Sequence, residues 1–573
     1  MSEQTNNIRP VIYQLLPRLF ANYNQSPVPN GTIEQNGCGK LNDITPKVLE
    51  EIKNLGATHV WYTGVIEHAH TPDYTRWGIE RHNPHIIKGK AGSPYAITDY
   101  YDIDPDLAVD VPHRMKEFEN LVKRTHKSGL KVIIDFVPNH VGRQYHSDVA
   151  PAGVEDFGIS DNKEFFFSPD NNFYYITRQK FAPVGVDLGS GVDEYVEFPA
   201  RASGDDCFTA FPGVNNWYET VKLNYGYDPG NCTRHYDPTP STWLKMLNIL
   251  RYWAGKDIDG FRCDMAHMVP VDFWRWAIPQ VKDVNPDLIF IAELYDVALY
   301  RQYIFTAGFD YLYDKVNLYD TLRAIETAGH SAATLTSCWQ TVDGIGANML
   351  NFLENHDEQR FASAQYAGDA MRVVPSLVVS SMMSTGPFMI YAGQELGEKA
   401  SDAEGFSGYD GRTTIFDYWS IPTLRRWLNH GTCDGVLSDS EKSLRSIYRR
   451  VLMLCNAEPA LRQGSFFDLM YVNYDNPRFN PHSHYAFIRA CEDELLFIVV
   501  NFGFTEAQVE INLPTHAFDC LELSRGSVIA TDLLTGQKSL KVISDKTPFA
   551  THIPSHGAVV WKVLKSQITE LNK

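Results

Sequence analysis

The stretch KVIIDFVPNH, residues 131–140, runs from apolar residues into a carboxylate and then into polar residues. This pattern is typical of a β-strand that ends where its side chains meet solvent in a parallel β/α barrel. The segment before it, MKEFENLVKRTHKSGLKV, repeats apolar residues at helical spacing, and its helix is predicted to end at Gly129. Together the two segments predict one β/α/β step of such a barrel.

Three later segments share the apolar run and the carboxylate: GFRCD at residues 260–264, IAEL at 291–294 and ENHD at 354–357. Eight strand candidates occur before residue 395, and helical patterns separate most of them. They begin at Val11, Thr58, Lys131, Ile258, Leu288, Phe309, Asn348 and Pro387. Eight strands with intervening helices predict an α/β fold, a (β/α)8 TIM barrel.

Two regions depart from the barrel pattern. Residues 141 to about 222 are rich in Gly, Pro, Asp and aromatic residues and are too long for a simple loop, which predicts a small inserted domain after strand 3. The segment SEKSLRSIYRRVLMLC is predicted to be the last barrel helix. From about Gly464, alternating runs such as HYAFIRA and ELLFIVVNF predict a C-terminal antiparallel β-sandwich. The predicted domains are a barrel (1–140 and 223–460), an insert (141–222) and a sandwich (461–573).

The charge balance argues against several classes of partner. The 573 residues include 51 Lys plus Arg against 70 Asp plus Glu, a net charge of -19. Such a surface repels nucleic acid and anionic membranes, so a neutral ligand is expected. No apolar run is long enough to span a bilayer, and the sequence does not indicate an oligomeric state.

The N-terminal segment and the cysteines predict a cytoplasmic protein. MSEQTNNIRPVIYQ lacks the basic and apolar regions of a secretory signal. Nine cysteines are scattered without short paired spacings, which indicates free thiols and not a disulfide framework or a zinc site. An apolar leader upstream of Met1 would overturn this prediction.

Asp264 and Glu293 are predicted to face one cleft. They lie 29 positions apart (293 − 264), about one strand-helix-strand step, so both are expected at the mouth of neighbouring strands. Two such carboxylates suit acid-assisted cleavage of a glycosidic bond with retention, which needs a nucleophile and a proton donor about 5 to 5.5 Å apart. Taken alone, DFVPNH could be a buried strand followed by a turn, and ENHD a capped loop. The combination favours a catalytic site.

Taken in order, the four motifs resemble those of the α-amylase superfamily, glycoside hydrolase family 13, and the resemblance covers essentially the whole chain. It implies that Asp264 is the nucleophile and Glu293 the general acid/base. Asp357 would be the third carboxylate, which stabilises the distorted sugar and its positive charge. The implied reaction is a covalent double displacement that retains the anomeric configuration.

The same resemblance implies five substrate-binding residues. His140 and His356 match histidines that hydrogen-bond sugar hydroxyls, and Tyr95 matches a tyrosine that stacks under the ring. Arg262 shares a strand face with the nucleophile and, as a permanent cation, is expected to keep it ionised. The Lys-His pair that often follows the nucleophile is not present. His267 is the histidine of this segment, so a contact with the leaving sugar is expected to differ.

The resemblance also raises the question of calcium. In many α-amylases a calcium ion is held by the Asn of the third-strand motif, here Asn139, and by an Asp of the insert. Lys222 stands where the family's Pro-Asp-Leu-Asn element has its acidic residue, and a cation cannot help bind calcium. No cofactor is expected for the chemistry, and a structural calcium stays an alternative. Asn22, Asn24 and Asn30 indicate a turn-rich loop more simply than a second calcium site.

The resemblance implies an α-glucan as substrate, and the long insert favours α-1,4 bonds in starch, glycogen or maltooligosaccharides. Met265, directly after the nucleophile, matches neither the residue common in α-1,4-acting members nor that in α-1,6-acting ones. Three alternatives therefore stay open: an α-glucanotransferase, an α-1,6-glucosidase or other α-glucosidase of the superfamily, and a non-catalytic carbohydrate-binding relative.

Overall fold

The computed structural model describes residues 8–569, and its centre is a closed barrel of eight parallel strands. Each strand pairs with the next in sequence and β1 pairs with β8, so the barrel has no free edge. This confirms the predicted (β/α)8 barrel. The strands are β1 Val11–Leu15, β2 His59–Tyr62, β3 Lys131–Phe136, β4 Gly260–Cys263, β5 Ile289–Ala292, β6 Tyr311–Tyr313, β7 Met349–Phe352 and β8 Phe388–Tyr391.

The register of the strands brings the carboxylate motifs to one end of the barrel. Cys263 at the end of β4 pairs with Ala292 at the end of β5. The next residues, Asp264 and Glu293, therefore leave neighbouring strands at the same level, and the N–H of Glu293 donates to the carbonyl of Cys263 at 3.0 Å. The ENHD motif follows β7 at this same C-terminal end, where the active sites of such barrels lie.

Helices follow the barrel strands and cover them. The last of them, α8, begins with a capping box in which Ser438 and Glu441 satisfy each other's backbone N–H groups. The eight are α1 Pro46–Leu55, α2 Arg114–Lys127, α3 Ser241–Ala254, α4 Val271–Lys282, α5 Tyr300–Gln302, α6 Asp320–Ala328, α7 Val374–Met382 and α8 Asp439–Ala457. Shorter helices are Pro17–Phe20, Ile33–Asn36, Leu335–Thr341, Pro422–Leu428, Pro459–Arg462 and Thr515–Cys520.

The insert after β3 leaves and rejoins the barrel through one antiparallel pair. Strand His140–Gly142 pairs with Thr220–Lys222, which places His140 opposite Lys222. This confirms an insert after the third strand, whereas the bounds 141–222 stay a prediction. Other short pairs in the chain are Tyr175–Ile176 with Ala200–Arg201, Ile66–His68 with Ile97–Ile103, and Tyr227–Asp228 with Thr233–Arg234.

The C-terminal region is antiparallel, as predicted. A six-stranded sheet has the order β9-β10-β11-β16-β13-β14, and a two-stranded sheet pairs β12 with β15. The strands are β9 Ser465–Asp468, β10 His484–Cys491, β11 Glu494–Asn501, β12 Ala507–Ile511, β13 Gly526–Asp532, β14 Lys538–Ile543, β15 Phe549–Ile553 and β16 Gly557–Leu564. Among residues 8–569, no helix combines the length and the hydropathy needed to cross a bilayer.

Candidate active site

Arg262 lies at the centre of the carboxylate cluster. This residue of β4 is 1 % exposed, and its two terminal nitrogens contact different acids. Nη1 lies 2.8 Å from Asp264 Oδ1, and Nη2 lies 2.8 Å from Glu293 Oε2. A guanidinium is planar and permanently charged, so it holds both oxygens in fixed directions. The shared cation therefore keeps the two carboxylates close together.

The barrel interior fixes Arg262 in turn. Asp135 Oδ1 on β3 lies 3.5 Å from Nη1, and Nε donates to the hydroxyl of Tyr313 at 3.3 Å. The rings of Trp61 and Tyr95 lie 5.3 and 5.2 Å from its Cζ, within the range of cation–π attraction. The guanidinium thus has contacts on several sides, which leaves it little freedom to turn away from the acids.

The expectation that Arg262 simply keeps Asp264 ionised is too simple. Burial raises the pKa of Asp264, the charge of Glu293 raises it further, and Arg262 lowers it. The pKa stands well above the ordinary value of an aspartate, because the carboxyl is buried and lies beside the charge of Glu293. A nucleophile must be ionised to attack, so Arg262 acts against the burial and the neighbouring charge that favour the protonated form of Asp264.

Both oxygens of Glu293 are oriented by neighbours. Oε2 accepts from the backbone N–H of Met265 at 2.8 Å, and Oε1 accepts from the hydroxyl of Tyr295 at 2.6 Å. Tyr295 was not predicted as a site residue. It lies two positions after Glu293, just beyond the end of β5, and this short spacing is the signal that could have found it.

Asp357 is held by a chain of hydrogen bonds that starts on β1. The amide of Gln14 donates to His356 Nδ1 at 2.7 Å, so the imidazole bears its proton on Nε2, 3.0 Å from Asp357 Oδ2. The hydroxyl of Tyr95 lies 2.6 Å from His356 Nε2. Burial raises the pKa of Asp357, but His356 and then Arg262 and Arg412 bring it below its ordinary value. This third carboxylate is therefore a fixed negative charge.

The three carboxylates share a cavity of about 270 Å³ with two predicted substrate-binding residues, Tyr95 and His140. His140 is neutral, because burial, with help from neighbouring lysines, lowers its pKa to about 3. A neutral imidazole both donates and accepts, which suits sugar hydroxyls. The other lining residues are Lys88, Ser93, Trp217, Glu219, Thr220, Met265, Tyr295, Ile415 and Phe416.

Three predicted residues lie outside the lining of this cavity. Arg262 and His356 stand directly behind it and contact the acids as described above. His267 is partly exposed and packs against Tyr295, with ring centroids 6.1 Å apart. Its role in binding substrate stays a prediction.

Lys222 occupies the region where the family resemblance implies calcium. Its ammonium contacts Asn139 Oδ1, lies 2.7 Å from Asp206 Oδ1, and donates to the carbonyl of Met268 at 3.1 Å. Burial lowers the pKa of Lys222, and Asp206 opposes that effect. A cation that already meets these three oxygens excludes a second one by repulsion, so the residues present do not fit calcium.

The loop with the alternative calcium candidates is built from turns. Asn22 Oδ1 accepts from the N–H of Asn24 at 3.1 Å, and Asn24 Oδ1 accepts from the N–H of Ser26 at 2.8 Å. These amide oxygens are engaged by the backbone, as expected of a turn-rich loop. Among residues 8–569, no group of three or more His, Cys, Asp or Glu side chains could hold a metal ion.

A family model of the α-amylase catalytic domain matches residues 14–183 and 238–414, which include the end of β1, all of β2 to β8 and the three carboxylates. The chain belongs to the α-amylase family. It is therefore a glycoside hydrolase, as the sequence motifs predict. The first matched segment ends within the insert, and the second begins shortly before α3.

Relatives in this family support the same conclusion. The chain is 25 % identical to Neopullulanase 2 of Thermoactinomyces vulgaris, a match that covers 89 % of this chain and 73 % of the relative. It is 24 % identical to a cyclomaltodextrinase of Geobacillus thermopakistaniensis, covering 96 % and 76 %. The chain is also similar to the crystal structure of an α-amylase from Geobacillus thermoleovorans in complex with acarbose, at 18 % identity and a TM-score of 0.61. This match covers 98 % of this chain and 99 % of the other. This last likeness shows the fold.

Other lining residues of this α-amylase family site gave no signal in the sequence. Trp217 packs against His140, with ring centroids 5.2 Å apart, and Lys88 Nζ lies 2.9 Å from Glu219 Oε2 in the cavity lining. Trp217 and Glu219 come from the insert, whereas Lys88 comes from the loop after β2. Their meeting depends on how the insert folds back over the barrel, which no local pattern reveals.

Proposed function

We propose that this protein hydrolyses α-1,4-glucosidic bonds in maltooligosaccharides, starch or glycogen with retention of the anomeric configuration. The observation that carries the proposal is the single guanidinium that holds both Asp264 and Glu293 at 2.8 Å. Retention needs such a close pair, whereas inversion needs room for a water molecule between the acids. The names of the relatives, Neopullulanase 2 and Cyclomaltodextrinase, support an α-glucan as the substrate.

The proposed reaction has two steps. Glu293 gives its proton to the glycosidic oxygen while Asp264 attacks the anomeric carbon, and the bond to the leaving sugar breaks. Glu293, now ionised, takes a proton from water, whose oxygen attacks the same carbon and displaces Asp264. Among residues 8–569, the buried Oδ2 of Asp264 has no hydrogen-bond partner, so no donor has to be displaced before this oxygen attacks. Asp357, fixed by His356, faces the positive charge of the sugar.

Maltotriose provides a direct test of the proposal. We expect hydrolysis to shorter sugars, with the α-anomer formed first, because two inversions at one carbon give net retention. Proton NMR within the first minutes distinguishes the anomers before mutarotation. A β-anomer as first product, or no cleavage, would refute the proposal, and products longer than maltotriose would indicate an α-glucanotransferase instead.

We further infer that the protein needs no calcium, because the ammonium of Lys222 joins the insert to the barrel. It contacts Asn139 at the end of β3 and the carbonyl of Met268 after β4, while Lys222 itself belongs to the strand that ends the insert. An ammonium supplies positive charge and donates three hydrogen bonds, so it can hold together oxygens that a calcium ion would otherwise coordinate.

Chelation should therefore leave the melting temperature and the activity unchanged. Substituting Lys222→Ala should lower the melting temperature by a few degrees, because buried acceptors lose their donor. The matched control is Lys222→Asp, which places a carboxylate beside Asn139 and Asp206 and should be stabilised by added calcium. A wild-type protein that melts lower after EDTA treatment contradicts the inference.

A further inference from the structure

A second cavity lies between the barrel and the C-terminal region, and its volume is about 240 Å³. Its lining includes residues 383–385, which connect α7 to β8, and Gly464 and Arg489, which belong to the C-terminal region. Among residues 8–569, none of those that line this cavity also lines the catalytic one. The second cavity is therefore separate from the proposed chemistry.

Arg489 in this lining is a buried cation without a carboxylate partner. It lies on β10, is 2 % exposed, and donates to the carbonyls of Met383 at 2.9 Å, Ala460 at 3.2 Å and Gly464 at 2.6 Å. A guanidinium has five N–H groups, so two of them are left over. Burial, followed by the charge of Arg9, lowers the pKa of Arg489 to about 9. No Asp or Glu in the described part of the chain is among the groups that shift this pKa.

Arg9, just before β1, is a second cation of this kind. It is 3 % exposed, and it donates from Nε to the carbonyl of Gly386 at 2.6 Å and from Nη1 to the carbonyl of Leu461 at 3.4 Å. Its buried Nη2 has no hydrogen-bond partner between residues 8 and 569. Burial lowers the pKa of Arg9, and the group that opposes this shift is a thiol, that of Cys455. Arg9 therefore has both an uncancelled charge and an unused donor.

The same two backbone segments hold both guanidiniums. Residues 383–386 lead from α7 to β8, and residues 460–464 lead from a short helix into β9. Carbonyls carry only partial negative charges, so two full positive charges stay uncancelled at this junction. Burying charge without a counter-ion is costly, and Arg9 itself disfavours the charge on Arg489. An anion in contact with both guanidiniums would therefore stabilise the junction.

We propose that a phosphate group binds at this junction and accepts hydrogen bonds from Arg9 and Arg489 together. Phosphate carries a charge of about −1.5 to −2 at pH 7, which matches two guanidiniums, and its oxygens suit the paired N–H groups of arginine. Asp314 and Asp343 also line the cavity, but neither is among the groups that shift the pKa of either arginine. The bound phosphate joins β10 of the C-terminal region to the start of β1.

Thermal melting in a phosphate-free buffer of low ionic strength tests this proposal. We expect millimolar inorganic phosphate to raise the melting temperature by about 2 °C or more, because a ligand that binds only the folded state stabilises it. Sodium chloride at equal ionic strength should have less than half this effect. Glucose 6-phosphate, compared with glucose, shows whether the phosphate can belong to a sugar monoester, and glucose alone reports any binding of the sugar in the catalytic cavity.

Variants of the two arginines show whether they form the site. Arg489→Gln and Arg9→Gln each remove one charge and should weaken the binding of inorganic phosphate at least 10-fold, as measured by isothermal titration calorimetry. Arg489→Lys keeps the charge but loses the planar fork, so it should bind phosphate more tightly than Arg489→Gln does. The matched control Arg525→Gln removes an arginine of the C-terminal region that is 51 % exposed and should bind phosphate as the wild type does.

Two results would refute the phosphate site. One is a wild-type melting temperature that responds equally to phosphate and to chloride, and the other is unchanged phosphate affinity in both glutamine variants. Binding of glucose 6-phosphate without binding of inorganic phosphate would support the site and identify its occupant as a monoester. Should the glutamine variants not fold, the comparison of phosphate with chloride and the affinity of Arg489→Lys still decide. Cleavage of maltotriose has no bearing on these results, so the site and the proposed function are tested separately.

Discussion

Replacing Asp264 by asparagine should lower kcat on maltooligosaccharides by about four orders of magnitude, equivalent to about 5.5 kcal/mol of transition-state stabilisation. The amide has nearly the same shape and can still accept from Arg262, but it cannot form the covalent glycosyl intermediate. KM and the melting temperature should change little. Steady-state kinetics on maltotriose, with circular dichroism of the folded variant, measures the effect.

The matched control is another buried aspartate at the end of a barrel strand. Asp314 follows β6, burial raises its pKa to about 7, and it accepts from Asn317 at 3.2 Å and from the N–H of Leu318 at 3.3 Å. Asp314→Asn keeps the acceptor for Leu318 and lies outside the lining of the catalytic cavity, so it should retain kcat within a few-fold. Near-normal turnover in Asp264→Asn would remove this residue from the role of nucleophile. An equal loss in Asp314→Asn would mean that the assay reports folding.

Replacing Glu293 by glutamine should lower kcat on maltooligosaccharides by roughly three orders of magnitude, because the leaving sugar then departs without a proton. With α-glucosyl fluoride the loss in the first step should be much smaller, since fluoride leaves without protonation. The carbonyl oxygen of glutamine can still accept from the N–H of Met265, and its amide nitrogen can donate to the hydroxyl of Tyr295, so the geometry should largely persist. The measurement compares the loss in rate on maltooligosaccharides with the loss in rate on α-glucosyl fluoride. Equal losses on the two substrates would contradict the role of Glu293 as general acid.

The same variant should shift the pH dependence in a defined direction. In the wild type, Asp264 must be ionised to attack, so activity falls at low pH as this carboxyl gains a proton. Burial raises the pKa of Asp264, and the negative charge of Glu293, which Glu293→Gln removes, raises it further. Asp264 then ionises at lower pH in the variant, so the acid limb with α-glucosyl fluoride should move to lower pH. An acid limb that moves to higher pH would contradict the coupling.

The barrel and its acids could be predicted because one local pattern encodes both. An apolar run that ends in a carboxylate indicates where a strand ends. The parallel register of β4 and β5 then places Asp264 and Glu293 at the same level. Lys222 could likewise be recognised as unsuited to calcium from its charge alone. That its ammonium reaches Asn139 and the carbonyl of Met268 required the three-dimensional arrangement of insert and barrel.

Other features could not be predicted, because they depend on contacts between separate loops or on burial. Lys88 and Glu219 show no local pattern, since one follows β2 and the other lies in the insert. The raised pKa of Asp264 follows from burial and from the charge of Glu293, and sequence spacing predicted that Arg262 meets Asp264 but not that it also pairs with Glu293. Tyr295 is the exception, because its spacing from Glu293 was readable.

The three acids and other residues of the cavity lining come from different parts of the chain, which has a consequence for the divergence of such enzymes. The acids follow β4, β5 and β7, whereas Lys88, Phe416 and Glu219 come from the loops after β2 and β8 and from the insert. Loops tolerate change better than the strands that carry them. Substrate specificity can therefore change through the exchange of loops, while the catalytic carboxylates at the strand ends stay the same.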